Sequence, residues 1–279
     1  MEEALGTVTS HYARHGELTA RILAALAAAC KDTYALDLED LTPLDQFHLR
    51  GHQATRELAE EAGLAPGQRL LDIGSGIGGP ARMLAQNYGV AVTAVDLTEA
   101  FCRTAAELSA LVPEAPAPDF VCADATRLPF PTDRFDVVWT QHAAMNIPDK
   151  PALYRECLRV CRPGGRFLVY DVVEGPAGDP YYPAPWASTP GGSFLVEAAE
   201  LRRLVLAAGF RERAFRDLTA AAVAWNRERQ AKMAEAGAQP ALGPHLLMGP
   251  EFPQMIANVG RGLEEGRLGL AMGLFVKPD

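Results

Sequence analysis

Three acidic residues stand in or just beyond short apolar runs. They are Asp72 in Leu70-Leu71-Asp72-Ile73-Gly74-Ser75-Gly76-Ile77-Gly78-Gly79-Pro80, Asp96 after Ala91–Val95, and Asp124 in Cys122-Ala123-Asp124-Ala125. The first run breaks into glycines and then into a helical pattern. Glycine supplies the positive φ angles of a tight turn and lets backbone N–H groups approach a ligand, while the following helix points its N-terminus at that ligand. Gly74, Gly76 and Gly79 also satisfy G-x-G-x-x-G, so the loop alone reads as a generic nucleotide-cofactor turn. Asp96, followed by Leu97, has the spacing of a carboxylate that accepts both hydroxyls of a ribose. A charged Asp72 before the first glycine suggests a polar cofactor tail such as an ammonium group. Asp124 with Ala125 is placed to meet an adenine amino group.

A second set of residues has proton chemistry. His142 directly follows the run Phe135–Thr140, and an unperturbed imidazole titrates close to pH 7, which makes it a candidate general base. The alternative is that Gln141-His142 fixes the cofactor or caps the next segment. Asp171 is a carboxylate inside Phe167–Val173, and a buried acid must be paired or functional. Strand alternation places Phe167, Val169 and Asp171 on one face and Tyr170 on the other.

The elements that must position these groups follow from periodicity. Residues 1–62 read as amphipathic helix, with Leu18, Ile22, Leu26 and Ala29 on one stripe and Thr42-Pro43 marking a later helix start. Beyond Ala65-Pro66-Gly67, β-rich runs alternate with helical segments, the signature of an α/β protein with helices on both faces of a largely parallel sheet. Strands are expected at Arg69–Ile73, Ala91–Val95, Asp119–Cys122, Phe135–Thr140, Arg166–Val173, Phe210–Asp217 and Leu268–Val276. Helices are expected at about 79–88, 98–111, 150–161, 196–208, 219–236 and 251–265. Pro163-Gly164-Gly165 ends one helix and turns the chain into the next strand. Residues 174–193 hold five prolines, four glycines and Tyr181, Tyr182 and Trp186, and read as a functional loop at a sheet edge.

Composition narrows the function classes. A chain of 279 residues, 48% hydrophobic and 22% charged, buries a sizeable core. A net charge of −9 argues against nucleic acid as the standing partner, since phosphate binding needs a concentrated basic surface. No apolar run reaches the ~20 residues of a membrane span, and Met1-Glu2-Glu3 is the wrong flank for a signal peptide, so a cytoplasmic protein is expected. The five cysteines include no C-x-x-C; Cys157 and Cys161, one helical turn apart, read as small helix-face residues, and no metal site is expected.

Taken in order, Asp72-Ile73-Gly74-Ser75-Gly76-Ile77-Gly78, Asp96, Ala123-Asp124-Ala125, Phe135-Asp136-Val137-Val138-Trp139 and Arg162-Pro163-Gly164-Gly165 resemble the class I S-adenosylmethionine-dependent methyltransferases over residues 65–279. The resemblance implies a Rossmann-like seven-stranded sheet with its last strand antiparallel. The residue pattern adds a helical cap at 1–64 before it and inserted cap segments at about 174–193 and 219–265. It implies S-adenosylmethionine as cofactor, S-adenosylhomocysteine as product and a small-molecule acceptor. Asp72 and Gly74, Ser75, Gly76 and Gly78 would face the methionine part, Asp96 and Leu97 the ribose, and Asp124 and Ala125 the adenine.

Asp45-Gln46-Phe47-His48, Gly74–Arg82 and Thr140–Ile147 are similar to a small-molecule branch containing sarcosine and dimethylglycine, sterol and tocopherol, and ubiquinone and menaquinone methyltransferases. Gln46, His48 and Gln141 then join the expected cofactor site. Tyr12, Tyr34, Tyr181, Trp186 and Trp225 are candidates to line the acceptor pocket or shield the sulfonium, with ordinary packing as the alternative. An acceptor bearing a carboxylate would want an arginine, for which Arg14, Arg50 and Arg82 are available. The acceptor and the N, O or C atom methylated stay open. The rival readings are a same-fold protein catalysing another reaction, such as a cyclisation, and an NAD(P)-dependent oxidoreductase. The latter leaves Asp72 and Asp124-Ala125 without a role.

Overall fold

The computed structural model describes residues 18–46, 48–113, 116–236 and 240–279. Its centre is a seven-stranded sheet of β1 (Arg69–Ile73), β2 (Ala91–Asp96), β3 (Asp119–Cys122), β4 (Phe135–Gln141), β5 (Cys161–Glu174), β6 (Arg211–Asp217) and β7 (Leu268–Val276). The order across the sheet is β3-β2-β1-β4-β5-β7-β6, with β7 antiparallel to both neighbours. Chain direction of travel reverses between β1 and β4, whose registers join Ile73 to Thr140. A crevice opens outside the carboxyl ends of the strands at such a switch point.

The strands alternate between two cores. Leu70, Val137, Trp139, Leu168 and Tyr170 pack under α3 (Gly51–Ala62), α4 (Gly79–Tyr88), α8 (Thr219–Ala236) and α10 (Phe252–Glu264). Leu71, Ile73, Val138, Phe167 and Val169 face α6 (Lys150–Val160) and α7 (Ala198–Ala207). A third cluster joins α1 (Leu18–Ala28) and α2 (Leu38–Asp45) to α5 (Glu99–Ala110) and α9 (His245–Met248) through Ile22, Leu26, Leu41, Leu44, Phe101 and Leu247. No helix among the described residues is long and apolar enough to cross a membrane.

Two local expectations need correction. Thr42-Pro43 does not start a helix: α2 begins at Leu38 behind Asp37, whose N–H donates to Asp40 Oδ2 at 3.1 Å, and Pro43 lies inside it. Pro43 has no N–H to donate to Glu39 O, so the helix carries one fewer i→i−4 bond there. Strand β5 begins at Cys161 rather than Arg166, with a register break against Phe135 and Val137 that absorbs Pro163-Gly164-Gly165. Gly165 is needed there because a Cβ would stand 2.6 Å from Cys161 Sγ and 2.7 Å from Arg162 O. Cys161 therefore leaves the α6 face that carries Cys157.

Candidate active site

A cavity of about 440 Å³ occupies the crevice. One end is walled by the glycine loop. Gly74 and Ser75 donate their N–H groups to Val95 O at 2.7 and 3.0 Å, tying the loop to β2. Gly74 has φ +78° and a Cβ there would lie 2.3 Å from that of Ala143, so only glycine lets the loops after β1 and β4 meet. Asp96 Oδ2 accepts from Gly76 N at 2.9 Å and Oδ1 from Thr98 N at 2.8 Å, leaving further lone pairs toward the cavity that it lines. Asp124 Oδ1 accepts from Thr126 N and Oγ1, both at 2.8 Å, and Asp124 and Ala125 line the same end with Leu97.

Asp72 stands behind this loop. It is 2% exposed, does not line the cavity, and its Oδ2 has no donor. Burial and the Asp96 charge push its carboxyl up to about 7. Gly78 also lies off the cavity wall, starting α4 at φ +83° where a Cβ would strike the Phe120 ring.

The middle of the cavity is built around His142. Its backbone is left-handed (φ +54°), held by its own N–H donating to Tyr170 O at 2.8 Å. The ring stacks on Tyr170 (5.3 Å between centroids, 11° between planes) and meets the His48 ring edge-on at 6.0 Å. Tyr170 is fixed in turn by its hydroxyl, which donates to Leu49 O at 3.0 Å. His142 Nε2 is enclosed without a partner, and burial with the nearby His48 holds its pKa well below 6.5. The ring is therefore neutral, and the burial that keeps it so also makes it a weaker proton acceptor than a free imidazole. The left-handed backbone at a bulky residue is strain of order 1 kcal/mol that the flanking bonds offset, a pattern found at functional positions.

His48 lies 2.9 Å from Gly51 O, and since a carbonyl only accepts, Nε2 carries the proton. Burial pushes His48 down to about 4. Thr55 Oγ1 links it at 3.1 Å to Gln46 Oε1, also at 3.1 Å, and Gln141 lies 3.4 Å away. Gln46, His48 and Gln141 thus form one wall over the cleft.

Asp171 occupies a different place from the one its candidacy as a catalytic acid requires. It is 1% exposed, does not line the cavity, and Oδ2 accepts from Ala144 N at 3.1 Å. Its neighbour Lys150 donates to Ala144 O (2.9 Å), Ile147 O (3.0 Å) and Phe194 O. Together they hold the loop after β4, and Asp171, expected to touch the reaction, lies behind that loop and off the cavity wall.

The far end is aromatic. Trp186 and Trp225 line it beside Val172, Phe252, Ile256 and Val259. Two other aromatic candidates do not reach it. Tyr34 is 90% exposed, following a helix end. Tyr181 donates to Glu265 Oε2 at 2.6 Å and lies under Arg261 and Arg267, whose guanidiniums face its ring at 4.1 and 4.7 Å. Neither lines the cavity. Tyr12 and Arg14 lie outside the described residues. Arg50 pairs with Glu57 at 2.6 Å and Arg82 with Asp45 at 2.8 Å, so neither points a free cation at an acceptor. The arginine in the cavity is Arg229, beside Asn226 on α8. The helix sequence did not single it out, because Arg229 stands in the polar run Asn226-Arg227-Glu228-Arg229-Gln230.

Residues 71–169 match a family model described as a methyltransferase domain. A 108-residue stretch is 42% identical to a 2-methyl-6-phytyl-1,4-hydroquinone methyltransferase of Synechocystis sp., spanning 39% of this chain and 33% of that one. The first curated relatives are matched over only a quarter to a third of their length. Among solved structures, the [4+2]-cyclase SpnF is 26% identical, with TM-score 0.65 over 94% of this chain and 93% of that one. Geranyl diphosphate C-methyltransferase from Streptomyces coelicolor A3(2), solved with Mg2+, geranyl-S-thiolodiphosphate and S-adenosylhomocysteine, is 15% identical and gives TM-score 0.70, covering 98% of each chain.

Proposed function

We propose, for a chain whose residues 71–169 match the methyltransferase-domain model, the transfer of a methyl group from S-adenosylmethionine to an N, O or C nucleophile of a small molecule. The observation that carries this reading is one continuous cavity with three zones: a glycine loop and two carboxylates at one end, a neutral histidine in the middle, and an aromatic chamber beyond.

The residues suit the cofactor. Asp96 keeps free lone pairs for ribose hydroxyls, Asp124 an unengaged carboxylate oxygen for adenine, and the orphaned Asp72 Oδ2 and Ser75 Oγ lack donors beside the glycine loop. An ammonium group supplies what Asp72 lacks. Bound there, S-adenosylmethionine supplies a methyl group already activated on a sulfonium. The protein's work is to align the acceptor, exclude water and manage one proton. Gln46 and His48 cover the cleft, and Trp186 and Trp225 form the acceptor wall. His142, which lines the cavity, accepts the proton of a hydroxyl or carbon acid; an amine arriving neutral has less need of it.

Incubation with S-adenosylmethionine and a panel of glycine derivatives, quinols, phenols and terpenoids tests this reading, with S-adenosylhomocysteine release as the readout. No release with any acceptor, despite cofactor binding, counts against it. The similarity to SpnF over nearly the whole chain favours one second reading, a cyclisation in the same cavity. That reading expects an acceptor transformed with no S-adenosylhomocysteine formed.

A further inference from the structure

The aromatic end of the cavity contains a cation without a counter-ion. Arg229 lies with its guanidinium carbon 5.5 Å from the centre of the Trp225 ring. Among the described residues no carboxylate forms an ion pair with it, in contrast to Arg50 and Arg82, and its Nε is enclosed without an acceptor. One turn earlier on the same helix, Asn226 is 2% exposed and its amide nitrogen also lacks an acceptor. Gly260 of α10 makes room for that amide, since a Cβ there would stand 2.5 Å from it. Both residues line the cavity with Trp186, Phe252 and Ile256.

A half-buried guanidinium and a buried amide left unanswered are costly unless a ligand completes them. From this geometry we infer that Arg229 and Asn226 form the recognition subsite for a carboxylate on an otherwise apolar acceptor. The inference rests on the reading of the aromatic end as the acceptor chamber. The planar fork of a guanidinium matches two carboxylate oxygens, and a single arginine balances a single charge. A diphosphate would call for further cations or a metal, and the described residues contain no cluster of three metal-ligating side chains. On that reading the methylated atom would lie beside His142 and the carboxylate beside Arg229, on separate groups of the acceptor.

Octanoate and octan-1-ol are the probes, titrated calorimetrically into protein saturated with S-adenosylhomocysteine. Octanoate is expected to bind about tenfold or more tightly than octanol, as a charge-assisted pair in a shielded site allows. Arg229→Met should bring octanoate down to the octanol level while leaving octanol and S-adenosylhomocysteine affinities unchanged; Arg229→Lys should keep part of the preference. Octanoate binding that is absent, no tighter than octanol, or indifferent to Arg229→Met overturns the subsite. The wild-type comparison needs no variant, so it decides even where Arg229→Met fails to fold. Failure of S-adenosylhomocysteine to bind would strike the methyltransferase reading instead, and the same octanoate and octanol titrations on the unloaded chain would still judge Arg229.

Discussion

Asp45 Oδ2 accepts a 2.8 Å hydrogen bond from Arg82 Nη2, and both side chains are almost wholly enclosed. The same guanidinium donates to Ile77 O at 2.8 Å, Ser109 Oγ at 3.1 Å and Ala105 O at 3.2 Å. Asp45 ends α2, Arg82 sits in α4, and Ala105 and Ser109 belong to α5. A Cβ on Gly79 would lie 2.4 Å from Asp45 O, so this glycine lets the α2 end settle directly on the start of α4. One buried pair therefore locks the helix preceding Gln46 and His48 onto the helix that follows the glycine loop.

Removing one partner of such a pair strands the other charge, at a cost of about 3–5 kcal/mol. Arg82→Met is expected to lower the midpoint of thermal unfolding by about 6 °C or more and to weaken S-adenosylhomocysteine binding as the Gln46–His48 wall loosens. The double variant Asp45→Asn/Arg82→Met should recover part of the thermal loss, because the stranded charge is gone. Differential scanning calorimetry on the three proteins decides it.

His142→Asn separates the two roles open to this residue. Asparagine tolerates the left-handed backbone, so the loop is kept while the imidazole is lost. Turnover with a hydroxyl or carbon acceptor should fall about a hundredfold, with S-adenosylhomocysteine affinity within about threefold of wild type. A large loss of affinity with little loss of turnover would make His142 a binding residue. Because burial and His48 keep the ring neutral well below pH 6.5, the wild-type rate should show no loss from His142 protonation between pH 8 and pH 6.

The alternation of strands with helices and the order of glycine loop, Asp96 and Asp124 were legible because each is local: an apolar run, a turn residue, a carboxylate at a strand end. The antiparallel last strand is a matter of long-range pairing and was expected only from the family resemblance. Which way a side chain turns was less legible. Alternation correctly separated Asp171 from Tyr170, yet only the three-dimensional packing shows that the Asp171 face meets α6 and the loop backbone rather than the cavity. Tyr34 and Tyr181 failed as pocket candidates because aromatic identity says nothing about what lies opposite. Arg229 was missed because its helix was read by its position in the chain, with no partner to reveal which stripe faces inward.

Lys150 offers a test of the loop architecture. Its ammonium caps carbonyls from the loop after β4 and from Phe194, while Phe194 N donates back to Met145 O at 2.9 Å and Asn146 Nδ2 to Trp186 O at 2.6 Å. The wall that holds His142 and the wall that holds Trp186 are thus stapled together. Lys150→Met keeps the aliphatic stem and deletes the donors. It should cost about 2–3 kcal/mol, lower turnover, and raise hydrogen exchange at Ala144–Ile147 and Trp186–Phe194 above the rest of the chain. Uniformly unchanged exchange in these two segments would show that the staple does not hold them.

The last prediction concerns pH and Asp72. Burial and the neighbouring Asp96 raise its carboxyl to about 7 in the free protein, so it is largely ionised at pH 8 and largely protonated at pH 6. An ammonium group is held by the ionised form alone. Binding therefore draws the carboxyl pKa down and releases a proton, and affinity is lost as pH falls through 7. One unit below that value costs about tenfold, so S-adenosylhomocysteine should bind roughly tenfold more weakly at pH 6 than at pH 8. 5′-Methylthioadenosine has the same nucleoside but no amino-acid tail, and its affinity should stay flat over that range. Asp72→Asn should bind S-adenosylhomocysteine weakly at both pH values and with no pH dependence of its own. Equal wild-type affinity at pH 6 and pH 8, or a parallel loss for 5′-methylthioadenosine, would assign the ammonium to another group and leave Asp72 a structural residue behind the loop.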